Sequence, residues 1–296
     1  MAQTLLAALL VIAGAHALPD LARWRDFSWL RVWLAHGARG EDGARRARYP
    51  LALLPLLLFA ICALIQLALH HVLFGLPAFA FGVVVLFYCW GPRDLDMDID
   101  AVLKAPDSER RIAAAQALRP DPVVATLPFQ AASLVEATFA SALSRMFGVL
   151  FWFVVLGPAG ALGYRVALLI ARNTAFASDI EPAQRAVLER VALILDWAPS
   201  HLIALTLALV SEFDAVIRTW RDYHETHGQG YFTLDLGFLG ALARAGVDAD
   251  IAAGDGVANE AGNPLIALAD ARRVLLRILV TWLALIAVVA LAVLTR

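Results

Sequence analysis

Four carboxylates stand at alternate positions in Arg93-Asp94-Leu95-Asp96-Met97-Asp98-Ile99-Asp100, directly after a long apolar run. On a helix Asp94 and Asp98 share one face and Asp96 and Asp100 another, so Asp94 with Asp98 could begin an oxygen-ligand site for Mg²⁺. The same residues also suit a plainer task, capping and charging a helix N-terminus. Glu136 is the one acid in a small, apolar stretch that leads through Arg145 into the next apolar run, and Arg165 lies inside that run. Charge at such places is costly and turns toward protein or water, which makes a Glu136 to Arg165 pair one expectation and snorkelling of Arg165 the other. Asp196, beside Trp197, falls at the edge of a later run. His224 and His227 could offer a metal two imidazoles from one helical turn, but they do not form a His-Glu-x-x-His pattern. No Walker-type phosphate loop and no Ser, His and Asp grouping stands out.

These residues are held by apolar segments. Of the 296 residues 61% are hydrophobic and 17% charged, well away from the averages of a soluble domain. Residues 51–69 and 72–90 are long enough to cross a hydrocarbon core and are separated only by His70 and His71, the pattern of a membrane hairpin. The twelve Leu, Ile and Phe residues of 51–69 favour insertion by roughly 4 to 7 kcal/mol. Further runs cover 3–18, 147–171, 202–217 and 274–294. An all-α, polytopic membrane bundle with about six hydrophobic segments follows, read as one domain over 1–296, with helical polar loops at 91–146 and 218–273. Gly157-Pro158-Ala159-Gly160 interrupts the fourth run and leaves it open between crossing and re-entry.

Eighteen Lys or Arg residues in 19–50, 91–146 and 218–273 stand against four in the remaining connections and termini, which predicts the first group to be cytoplasmic. A net charge of −2 argues against nucleic acid as a partner and leaves the lipid bilayer as the certain one. Cys62 and Cys89 read as buried apolar thiols. Trp24, Trp29 and Trp33, interleaved with Arg23, Arg25 and Arg31, suit an interfacial helix, with ordinary juxtamembrane anchoring as the simpler reading. Pro106 and Asp107 predict a short helix over 108–118. Ser178-Asp179-Ile180-Glu181 has capping-box spacing before an amphipathic helix that Asp196-Trp197-Ala198-Pro199-Ser200 should end.

The stretch from Arg145 through Met146-Phe147-Gly148-Val149-Leu150-Phe151-Trp152-Phe153 and Leu156-Gly157-Pro158-Ala159-Gly160 to Tyr164-Arg165 resembles the AmpE family of inner-membrane proteins. Gly91-Pro92-Arg93-Asp94-Leu95 and Trp197-Ala198-Pro199-Ser200-His201-Leu202 extend that resemblance over nearly the whole chain. It implies a multi-pass protein of the bacterial inner membrane, linked to regulation of β-lactamase induction and cell-wall recycling. A cytoplasmic protein or cell-wall amidase would be its partner, and Arg93, Asp94, Arg145, Tyr164, Arg165 and Asp196 join Glu136 as candidate functional residues.

AmpE in turn resembles the CobD/CbiB family, which uses ATP and Mg²⁺ in cobalamin synthesis. Setting Phe151 and Gly157 on that family's pattern places Glu136 on its first Glu and keeps Tyr164 and Arg165. Ala137, Ala140, Ser141 and Ser144 then replace its next Ser, Glu, Asn and Asp, while Leu168 and Ala171 replace a later Asn and Asp. Such a site needs several converging oxygens, so the loss argues for a non-enzymatic role. The alternative is a diverged membrane synthase that binds an anionic or nucleotide substrate with Mg²⁺. A transporter is the third reading, since the break at Gly157 with Arg165 nearby suits discontinuous helices, but no internal repeat supports it.

Overall fold

A computed structural model describes residues 2–17, 25–30, 53–70, 75–91, 94–119, 126–173, 180, 182–228, 230–257 and 262–294. Among them every regular element is helical: α1 (Ala2–Ala17), α2 (Leu53–His70), α3 (Leu76–Cys89), α4 (Leu95–Lys104), α5 (Ser108–Ala115), α6 (Ala131–Ala142), α7 (Gly148–Arg172), α8 (Pro182–Val210), α9 (Phe213–Thr226), α10 (Gly237–Ala253) and α11 (Pro264–Leu294). The apolar runs therefore fold as the all-α bundle their composition requires. α2, α8, α11 and the stretch Ala131–Arg172 are long and apolar enough to cross a membrane, and α1 and α3 are shorter apolar helices. α2 turns Leu56, Leu57, Ile61, Leu64 and Leu67 outward while burying Leu54 and Cys62, a surface made for lipid.

The chain forms two compact units, Met1–Pro92 with Gly148–Leu195 and Arg93–Phe147 with Asp196–Arg296. In the first, α2 and α3 enclose α7. Its second arm, α3, is shorter than the 72–90 run, because Gly75 takes a left-handed conformation (φ 80°) and Pro77 then opens the helix. Cys62 and Cys89 are free and buried, as expected. Within residues 25–30 the Arg25 side chain turns inward: its guanidinium is buried, donates to the carbonyl of Trp90 at 2.9 Å and covers the ring of Phe87. A cation thus caps the carbonyl end of α3, which is electrostatically favourable. Trp29 donates its indole N–H to Tyr88 and pins the same end. Trp24, Trp33, Arg23 and Arg31 lie outside the described residues, as do Arg93 and three of the four capping-box residues, Ser178, Asp179 and Glu181.

α7 is broken at Gly157 (φ 72°, ψ −159°), a backbone conformation open in practice to glycine alone, and Pro158 begins the second half where its missing N–H costs nothing. Residues 148 and 164 would be about 24 Å apart along a straight helix. Instead a Cβ at Gly148 would overlap the ring of Tyr164, and one at Gly160 would overlap the carbonyl of Trp152, so the halves fold back on each other. The 147–171 run is thus not one straight span. The amide of Gln66 on α2 stands against the break, Phe59 and the Pro55 carbonyl against Gly163, and Pro158 with Phe153 against Gly82 of α3.

Two expectations about α8 are corrected. Asp196 to Ser200 does not end a helix, because α8 continues through Pro199 to Val210. Proline releases the carbonyl four residues earlier, that of Leu195, and the Trp152 indole N–H donates to it at 3.1 Å. Nor does the 202–217 run hold together: Ser211 leaves the helix to bond the carbonyl of Gly246 and the carboxylate of Asp250, and the amphipathic α9 starts afresh at Phe213.

In the second unit α6 packs on α11 and α10, and α9 pairs with α10. Asp107 caps α5 by accepting from the Arg110 amide, and a 3₁₀ turn, Gln116–Leu118, completes the helix expected over 108–118. Gly157→Ala is expected to destabilise the protein by about 1–2 kcal/mol through left-handed strain, and Gly148→Leu by more through overlap with Tyr164. Thermal unfolding in detergent micelles tests both, with Gly14→Ala, which meets nothing and should not destabilise, as the control.

Candidate functional site

The acidic run and its partners lie within the second unit. Asp94 adopts an extended backbone and accepts from the amide of Asp96, so it is the N-cap of α4. One turn on, Asp98 is 1% exposed and meets Nη1 of Arg145 at 2.7 Å. Arg145 reaches it because Leu143–Phe147 is a single π-helical turn, which inserts a residue and re-aims the side chains around it. The other nitrogen, Nη2, donates to the carbonyls of Ala117 and Arg119, each at 2.8 Å. Ser141 donates to the carbonyl between them, that of Leu118. Three successive carbonyls at the end of the α5 segment are thereby satisfied, and one guanidinium joins α4, that segment and the end of α6.

On the opposite face of α4, Arg272 of α11 pairs with Asp96 (2.5 Å) and Asp100 (2.8 Å). Lys104, followed by Arg272, holds the Asp100 carboxyl below the usual carboxylate range. The two faces read from the sequence are real, but Asp96, Asp98 and Asp100 are occupied by arginines. Asp94 is used as a cap and Asp98 points into the protein, so these two do not converge on a shared ligand position. Among the described residues no three His, Cys, Asp or Glu side chains are grouped to hold a metal ion. The donor set does not fit Mg²⁺ with ATP, because the oxygens such a group requires are committed to guanidinium groups and backbone amides.

Glu136 projects from α6 to Arg244 of α10 at 2.9 Å, both half exposed. Its partner is thus not Arg165 but a residue brought in by the close packing of α10, where Gly240 leaves room for the Glu136 stem. Beside this pair runs a groove of about 660 Å³ lined by Ala131, Ala132, Val135, Ile251 and Ala252, with Arg244 and Asp248 as its polar groups. Burial pushes the Asp248 carboxyl up, with Arg244 partly offsetting it. The groove can take an apolar surface and fix it by charge at one edge.

Tyr164 and Arg165 are buried in the second half of α7, in the first unit. Asp196 is fully buried on α8, one turn before Ser200, in the second. Sequence reasoning passed over Arg272 and Arg244, and also Arg277, which meets Asp250 at 3.0 Å. The available signal was the cluster of Asp270, Arg272, Arg273 and Arg277 at the start of a long, mostly apolar helix.

The His224 and His227 pair separates on folding. His227 stacks on Tyr223, while His224 is buried and accepts from the Trp220 indole at 2.9 Å through Nε2. An indole N–H only donates, so the proton of neutral His224 sits on Nδ1. Burial, then His201, lowers its affinity for a second proton.

Arg145→Met is expected to cost about 3–5 kcal/mol, since Asp98 is left buried without its cation. The double variant with Asp98→Asn should recover part of this in the same melting assay. For His224 the folded value lies below the unfolded one, so its contribution is complete above about pH 6.5 and declines as pH falls through that value toward the folded one. Melting temperature should therefore drop from pH 7 to pH 5, and His224→Phe should flatten the decline.

A family model described as regulatory signalling modulator protein AmpE matches residues 4–293. Comparisons with curated proteins and with solved structures give no match. The chain belongs to the AmpE family.

Proposed function

We propose that this member of the AmpE family is a non-enzymatic signalling or accessory protein of the bacterial inner membrane. On this reading it modulates β-lactamase induction in step with cell-wall recycling, and its polar segments 91–146 and 218–273 contact a cytoplasmic protein partner, with a recycling amidase the candidate the family suggests. One observation carries the non-enzymatic part: the carboxylates of the Asp94 to Asp100 run are engaged in a cap and in pairs with Arg145, Arg272 and Lys104, which leaves a braced surface rather than a ligand set. The Glu136 and Arg244 groove between α6 and α10 is the concave surface offered to the partner.

Sidedness fits this role. The segments 91–146 and 218–273 carry 11 of the 24 Lys and Arg residues. The excess of Arg in these segments favours the cytoplasmic side.

The test pairs a cell assay with a binding measurement. Ala132→Glu and Ala252→Glu, which block the groove, should abolish the protein's effect on β-lactamase induction while membrane levels stay normal. Calorimetry of the purified protein with Mg²⁺-ATP should show no saturable heat. Saturable binding that Glu136→Ala removes would overturn the non-enzymatic reading in favour of the synthase.

A further inference from the structure

The groove beside Glu136 carries one charge that the fold leaves unanswered. Arg244 and Asp248 stand one turn apart on α10, a spacing at which an arginine and an aspartate ordinarily pair. Here the guanidinium is drawn to the neighbouring helix, where its Nε meets Glu136 of α6 at 2.9 Å. Asp248 is left open to solvent with neither a hydrogen bond nor an ion pair. No other acid of α4, α6, α10 or α11 is in that position. Asp96, Asp98 and Asp100 hold arginines, Glu136 holds Arg244, Asp250 takes Arg277 and the Ser211 hydroxyl, and Asp270 accepts from the Val257 amide.

The walls define what can enter. Ala131 and Ala132 of α6 share the groove with Ile251 and Ala252 of α10, whereas farther along α6 Glu136 meets Arg244 and packs against Gly240, so the two helices run antiparallel. A groove between two such helices suits a third helix laid along it, and at about 660 Å³ it admits a few side chains of that segment. The small side chains of Ala131, Ala132 and Ala252 leave depth for a large apolar one. Asp248 lies one turn from Ala252, about 6 Å along the helix axis. Glu136 and Arg244 cancel, which leaves the groove with the single negative charge of Asp248. Burial by the groove wall pushes that carboxyl up, so its charge is short of water and gains from a cation.

We propose, on the basis of the partner-binding role given to this groove above, that it receives an amphipathic helix of the cytoplasmic partner. That helix seats a Leu- or Phe-sized side chain among Ala131, Ala132 and Ala252 and places a Lys or Arg, one turn away, on Asp248.

Two measurements on the full chain test this. In cells, Asp248→Lys should abolish the effect on β-lactamase induction and Asp248→Asn should weaken it, with membrane levels normal. In phosphatidylcholine nanodiscs, the protein is titrated with a fluorescent alanine-rich helical peptide that carries Leu and, four residues on, Lys, and with the same peptide carrying Glu for Lys. Empty nanodiscs give the background. The Lys peptide should bind at least about tenfold more tightly than the Glu peptide. Asp248→Asn should remove that preference, Asp248→Lys should reverse it, and Ala252→Glu should abolish binding of both.

Equal binding of the two peptides, binding of neither above the empty-disc level, or a lysine preference that survives in Asp248→Asn overturns the proposal. A two-chain mass by light scattering that falls to one chain in Asp248→Lys also overturns it, since a second copy then fills the groove. If Asp248→Lys signals normally while Ala132→Glu does not, the proposal falls and the groove stands as the partner surface. Normal signalling by both variants removes that role as well.

Discussion

The second unit depends on one guanidinium. Arg145 neutralises Asp98 and at the same time occupies two carbonyls that the end of the α5 segment would otherwise leave without donors. A lysine could match the charge but not the planar fork that serves three acceptors at once. Because the π turn that aims Arg145 lies at the junction of α6 with α7, the register of that junction decides whether α4 and α5 dock. Arg272 then fixes the other face of α4, and the helix is held between two cations from distant parts of the chain.

This arrangement changes the meaning of the acidic run. Four aspartates in eight residues suggest a reactive cluster when seen in sequence, yet in the fold Asp96, Asp98 and Asp100 are sockets for arginines and Asp94 caps α4. The family assignment agrees with such a scaffold: a regulatory protein needs a surface of fixed shape more than a set of poised acids. The groove beside Glu136 and Arg244 is the part of that surface with both apolar walls and a charged edge.

Much of the architecture was legible because hydrocarbon imposes it. Long apolar runs could only be helices, and the alternation of aspartates correctly assigned Asp96 and Asp100 to one face of α4. Asp107 after Pro106 marked the start of α5 by local chemistry alone. The errors occurred where a distant side chain decides the local structure. Pro199 ought to end a helix, but the Trp152 indole takes the carbonyl it releases, and nothing near Pro199 in sequence announces that donor. Glu136 found Arg244 rather than Arg165 for the same reason, since partners more than a hundred residues apart depend on how helices pack.

The fold-back in α7 bears on how the protein is made. Its second half, the fifteen residues from Pro158 to Arg172, spans only about 22 Å as a helix, too short to cross a hydrocarbon core on its own. It can settle only against surfaces already in place, and α2 and α3 precede it in synthesis. Gln66, Phe59 and Gly82 are the positions where those two helices receive it. The apolar hairpin therefore acts as an internal template, and the order of the helices along the chain is also the order in which the membrane unit can be assembled.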